Sequence, residues 1–78
     1  MKSIYVLKDL AVMSGHSIYT IKYYLNLGLI KEIGRSPDTH IRFFDDSTLE
    51  TLNRIRQLKQ KNIPLTEIRR ILLGEDEA

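Results

Sequence analysis

The 78-residue chain contains no cysteine, which excludes a disulfide-stapled scaffold and thiolate metal sites. No apolar run approaches the ~18–20 residues of a membrane span. The first ten residues, MKSIYVLKDL, lack the apolar stretch of a secretory signal. Around His16 and His40 no carboxylate or thiol stands at a ligand spacing, so no metal site is expected. No nucleophile–base constellation, glycine-rich phosphate loop or cofactor motif is present. Asp45-Asp46 reads as a helix start rather than a catalytic pair. What remains is one small, non-enzymatic, cofactor-free domain, expected to be soluble and cytoplasmic.

Positive charge is modest in total and uneven in placement. The net charge is +2, and leaving out the acidic Glu75, Asp76 and Glu77 raises it to +5. Between residues 54 and 70, Arg54, Arg56, Lys59, Lys61, Arg69 and Arg70 face only Glu67. Such an asymmetry suits a phosphate backbone as partner.

The chain is organised around Ser17 to Leu27, SIYTIKYYLNL, which reads as an amphipathic helix. Ile18, Ile21 and Leu25 recur at helical spacing and form its expected buried stripe. Ser17 is a suitable N-cap and Gly28 a suitable stop. Before it, Lys8 to Ser14 reads as a shorter helix that buries Leu10, Ala11 and Met13 and ends at Gly15. Helix, tight glycine turn and Ser-capped helix make a helix-turn-helix pattern. Ser3 to Val6 is either a short strand or an extended lead-in. From Lys31 to Phe44, two short strands flank the turn-forming Ser36-Pro37-Asp38-Thr39, which predicts a β-hairpin. Asp45 or Asp46 then caps a third helix with Leu49, Leu52, Ile55 and Leu58 inward. Asn62 ends it, and a fourth helix from Pro64 to Leu73 buries Leu65, Ile68 and Ile71 or Leu72. Residues 1–73 are thus expected to form the domain, and 74–78 a frayed acidic tail.

Several of these segments, taken in order, resemble the DNA-binding domain of the MerR family of bacterial transcription regulators. Thr20-Ile21-Lys22-Tyr23-Tyr24 with Gly28-Leu29-Ile30 is similar to the family's T-L-R-Y-Y…G-L-[LI] signature. Asp9-Leu10-Ala11 with Gly15 and Ser17 resembles its first helix and turn. His40-Ile41-Arg42-Phe43-Phe44 resembles its wing motif G-Y-R-x-[YF], and Leu65-Thr66-Glu67-Ile68 its L-x-E-I motif. The resemblance implies a mainly α, winged helix-turn-helix with four helices and a small β-hairpin wing. It also implies a second helix in the major groove, action at promoters, and commonly a distortion of the DNA. Tyr19 stands where an arginine is common, and His40 where the wing glycine is usual. Ile41 and Phe44 stand in place of tyrosines. Family members usually continue into a long dimerisation helix. The end at Ala78 therefore reads either as an excised domain or as a short member of the BldC-like kind.

The expected partner is double-stranded promoter or operator DNA, with RNA polymerase as a further partner. Copies are expected to pair, or to line up side by side, on DNA. Candidate contacts are Ser17, Tyr19, Thr20, Lys22, Tyr23 and Tyr24 on the recognition helix, Arg35 and Arg42 on the wing, and Lys61 in the turn before the last helix. Thr20 and Tyr23 suit base edges or sugar, whereas Lys22 and Arg42 suit phosphate. Tyr24 is expected to pack inward with its hydroxyl reaching a phosphate. Two rival readings remain: an excisionase-like or architectural DNA-bending protein, and a protein–protein adaptor that uses the Tyr19/Tyr23 face.

Overall fold

Capping groups mark nearly every helix boundary in the computed structural model, which describes residues 3–74. Helix α1, Leu7–Ser14, begins where the Asp9 carboxylate accepts from the Val6 amide at 3.0 Å. That anion also suits the positive end of the helix dipole. Gly15 ends α1 with φ 77°, a left-handed conformation that glycine adopts without Cβ strain. Helix α2, Ile18–Leu27, starts at Ser17, whose hydroxyl accepts from the Thr20 amide at 3.1 Å. It closes at Gly28, φ 80°, with the Gly28 amide on the Leu25 carbonyl and the Leu29 amide on the Tyr24 carbonyl. This is a Schellman closure, and Leu29 and Tyr24 are both in the core.

The hairpin pairs β1, Gly34–Arg35, with β2, Arg42–Phe43, antiparallel, setting Arg35 opposite Arg42. The turn between the strands is closed by the His40 amide on the Ser36 carbonyl at 2.9 Å. His40 sits at φ 60°, the left-handed geometry that explains why glycine is usual there. The lead-in segment joins as a one-residue bridge, in which Tyr5 and Phe44 exchange amide–carbonyl bonds of 2.8 and 2.7 Å. The Tyr5 hydroxyl also donates to the Asp46 carboxylate.

Asp45 caps α3, Asp46–Gln60, by accepting from the Ser47 amide at 3.0 Å. Asn62 turns the chain with φ 65°, and α4 spans Leu65–Leu73. Pro64 is the N-cap of α4 rather than its first helical residue. Gly74 closes α4, and the rest of the expected acidic tail lies outside the described residues. The fold is the expected mainly α arrangement of four helices with a two-stranded hairpin. No helix among the described residues is long and apolar enough to cross a membrane.

One core joins the four helices. Leu10, Ile21, Tyr24, Leu29, Ile30, Phe44, Leu52, Ile55 and Ile68 are buried together. Two sequence expectations fail at its edge. Met13 is 51% exposed, and α1 buries Leu10 and Ser14 instead. Arg56 of α3 donates to the Ser14 carbonyl, and the Ser14 hydroxyl accepts from the His16 amide. Ile18 is 41% exposed, and the buried stripe of α2 runs through Ile21 and Tyr24, with Leu25 at its margin. Tyr24, 1% exposed, packs its ring edge-on against His16 with centroids 5.7 Å apart.

Three polar straps tie the supporting helices to the helix-turn-helix. Arg56 Nη1 donates to the Ser14 carbonyl at 2.9 Å, and Arg69 Nε to the Leu27 carbonyl at 3.1 Å. His16 Nε2 lies 3.3 Å from the Leu52 carbonyl, to which it donates in the tautomer that carries the proton there. A Cβ at Gly15 would collide with the Arg56 guanidinium, whereas one at Gly28 would meet open space. Gly15→Ala and Gly28→Ala should each cost about 1–2 kcal/mol for the left-handed backbone. Gly15→Ala should lose about 1 kcal/mol more through the displaced hydrogen bond. Urea unfolding of both variants checks this, and equal losses contradict it.

Candidate nucleic-acid interface

The outer face of α2 follows from its inner one. With Ile21 and Tyr24 inward, Tyr19, Lys22, Tyr23 and Asn26 fall on one stripe at spacings of three and four. Tyr19 is 84% and Tyr23 50% exposed. The stripe offers two phenols, an ammonium and a carboxamide, with no carboxylate among them. Ser17 and Thr20 lie at its N-terminal end, where the Ser17 hydroxyl donates to Thr20 Oγ1 at 2.9 Å while capping the helix. Thr20 is half-buried.

The hairpin stands beside this stripe. Arg42 of β2 shares one shallow concavity with Lys22, Leu25 and Asn26. An adjoining hollow adds Lys8, His40 and Ile41 around Lys22 and Arg42. Three cations from three elements, α1, α2 and β2, thus meet along one seam. Arg35 reaches that seam indirectly, through Glu32. Its Nε and Nη2 donate to the two carboxylate oxygens at 2.8 and 2.9 Å, and Arg42 Nε lies 3.1 Å from the same carboxylate. Hydrogen bonds from Arg35 hold the Glu32 carboxyl below its ordinary range; desolvation opposes them, and the charges of Arg35 and Arg42 reinforce them. The same bonds push Arg35 upward.

Of the residues expected from sequence, Tyr19, Lys22 and Tyr23 share the outer stripe, with Ser17 and Thr20 at its end and Arg42 alongside. Tyr24 packs inward as part of the core and, at 1% exposed, does not extend its hydroxyl toward a phosphate. Lys61 caps α3 in the turn to α4, on elements apart from the seam. The basic run from Arg54 to Arg70 is partly structural: Arg56 and Arg69 bind helix carbonyls, and Arg70 pairs with Glu67 at 3.2 Å. Sequence reasoning missed Asn26, Lys8 and Glu32 as members of the site. Asn26 was legible, seven residues after Tyr19 on the same face. Lys8 was not, because its proximity to the wing depends on the long-range Tyr5–Phe44 bridge. Among the described residues no cluster of metal-ligating side chains occurs.

Comparison with known proteins bears on the family and the fold. Residues 5–75 match the family model for MerR helix-turn-helix family regulatory proteins. The multidrug-efflux transporter 1 regulator of Bacillus subtilis is 32% identical over 69 residues, which cover 88% of this chain and 25% of that protein. The solved structure of HiNmlR, a MerR family regulator lacking the sensor domain and bound to promoter DNA, superposes with a TM-score of 0.81. It is 29% identical, over 94% of this chain and 55% of its own. A MerR family transcriptional regulator from Bacillus cereus, at 21% identity and TM-score 0.84, shares the fold over 97% of this chain and 56% of its own. The chain therefore spans a quarter of that curated relative and just over half of each solved one.

The wing ion pairs have a pH signature. A carboxyl whose folded value is lowered stabilises the fold above its ordinary range and loses that contribution as pH falls through the lowered value. Side-chain carboxyl NMR should give Glu32 a midpoint below the ordinary 4.5. Arg35→Ala should move that midpoint upward, and an unmoved midpoint contradicts the arrangement.

Proposed function

Since the chain belongs to the MerR family of helix-turn-helix regulatory proteins, we propose that it is the sequence-reading, double-stranded-DNA-binding domain of a bacterial transcription regulator. The observation that carries this reading is the seam where Lys22 and Asn26 of α2 meet Arg42 of the wing. A helix face and a cationic hairpin side by side suit a groove and its bordering phosphates. In this reading α2 enters the major groove and Lys22 and Arg42 hold phosphate. Tyr19, Thr20, Tyr23 and Asn26 meet bases and sugars, and a carboxamide at Asn26 is suited to the paired donor and acceptor of adenine. Ser17 contributes mainly by fixing the start of the helix, Arg35 acts through Glu32, and Lys61 grips phosphate beyond the groove. A promoter-bound relative with 29% identity supports the partner class.

The role is binding rather than catalysis, in the cytoplasm and at the nucleoid. The domain extends to about Leu73, where α4 ends. RNA polymerase is a second partner, and copies pair or align on DNA. Because the chain covers a quarter of the curated relative, the regulatory outcome belongs to the whole protein.

Binding to duplex DNA should weaken steeply with salt, by orders of magnitude between about 50 and 200 mM if several phosphates are held. Affinity that stays flat over that range sinks the reading. Arg42→Ala should weaken binding without changing the preferred sequence, and reduce the salt slope by about 1. Tyr23→Ala, Thr20→Ala or Asn26→Ala should instead change the preferred sequence, with about 1–3 kcal/mol per lost base contact. Selection of bound duplexes from a random pool separates the two classes, and a uniform loss from all three α2 variants refutes base reading by this face.

A further inference from the structure

One carboxylate occupies both arginines of the hairpin. Glu32 precedes β1, is half-buried, and takes the forked guanidinium of Arg35 on its two oxygens while Arg42 approaches one of them. A carboxylate with two oxygens presents to a guanidinium nearly the geometry of a phosphate diester. The three side chains together carry a net charge of +1 where the two arginines alone would carry +2.

We propose that Glu32 is an affinity- and specificity-setting residue of the DNA interface: an internal carboxylate that competes with backbone phosphate for Arg35 and Arg42. This rests on the DNA-binding reading above. Sequence-independent binding comes almost wholly from phosphate contacts, so an acidic group that satisfies the wing arginines lowers it directly. The two arginines are affected unequally. Arg35 gives Glu32 both Nε and Nη2, and so is the more fully engaged. Arg42 adds an Nε approach at 3.1 Å and lines the concavity with Lys22 and Asn26. A phosphate lodged in that concavity draws on Arg42 first.

The competition is set to be weak. The side chains of Arg35, Arg42 and Glu32 are 46%, 39% and 28% exposed, so water and salt screen the pairs. In a loose encounter with arbitrary DNA, no phosphate is fixed opposite the wing and the internal pairs persist. When α2 is seated in its preferred sequence, a phosphate is held in place and displaces the carboxylate from Arg42. Glu32 therefore penalises arbitrary DNA more than the preferred site.

The test is Glu32→Gln, which keeps the size and removes the charge. Binding is measured by fluorescence anisotropy on a random-sequence duplex and on a duplex selected by the wild-type protein, across a salt series. Glu32→Gln should bind the random duplex about threefold to tenfold more tightly, as expected for one screened charge a few ångströms from phosphate. Its salt slope should steepen by up to about 0.9, and its gain on the selected duplex should be smaller. Arg35→Ala should abolish most of the gain in the Glu32→Gln background. Thermal melting of each variant verifies folding. Random-duplex affinity that is unchanged or weaker, with an unchanged slope, overturns the proposal and leaves the DNA reading intact. A wild-type protein that shows no salt-dependent binding overturns both.

Discussion

Arg56 and Arg69 each reach across 42 residues of sequence to a carbonyl at the C-terminal end of a helix-turn-helix helix. The last carbonyls of a helix have no partner within it, and they carry the negative end of the dipole. Helices α1 and α2 have only eight and ten residues, too short to persist alone in water. The supporting helices α3 and α4 therefore do two jobs with the same elements. Their apolar faces complete the core through Leu52, Ile55 and Ile68, and their arginines fix where α1 and α2 end. The recognition helix is held at its start by Ser17 and at its finish by Gly28 and Arg69. Its outward stripe lies beside the hairpin, where Lys22, Leu25 and Asn26 share a concavity with Arg42.

A consequence is that basic residues on α3 and α4 are not all available to DNA. Arg56 and Arg69 are committed to helix ends, and Arg70 pairs with Glu67. The outer face of α2 holds Lys22 as its one cation beside two tyrosines and an asparagine. Electrostatic grip therefore concentrates where Lys8, Lys22 and Arg42 converge. That is also where Glu32 holds the wing arginines. In the proposed reading this surface relies on hydroxyls, aromatic faces and a carboxamide more than on net charge, and Glu32 is the acidic neighbour placed to adjust it.

Local chemistry was legible in the sequence and long-range chemistry was not. Ser17, Gly15, Gly28, Asp45 and Asn62 announced helix boundaries because caps and left-handed stops act within a few residues. The hairpin was legible for the same reason, from Ser36-Pro37-Asp38-Thr39 between β-favouring residues. Which apolar residues face inward was less so. Ile18 and Ile21 share a face on a helical wheel with Leu25, yet the core lies toward Tyr24, because Leu29, His16 and Phe44 gather on that side. Met13 was misread likewise, since Arg56 approaches α1 at Ser14. The structural roles of Arg56 and Arg69, and the gathering of Lys8 at the wing, require partners far along the chain. The match to a family pattern supplied the arrangement of elements but not these side-chain duties.

The central claim is that one face, made of the outer stripe of α2 and the adjacent β2, meets DNA. It is tested most directly by titrating isotopically labelled protein with duplex DNA and following the backbone amides by NMR. The account predicts the largest shifts at residues 17–26 and around Arg42, with little change on the outer face of α3 at Glu50, Asn53, Arg54 and Gln57. Shifts centred on that α3 face, with Tyr19, Lys22, Tyr23 and Asn26 undisturbed, would contradict it.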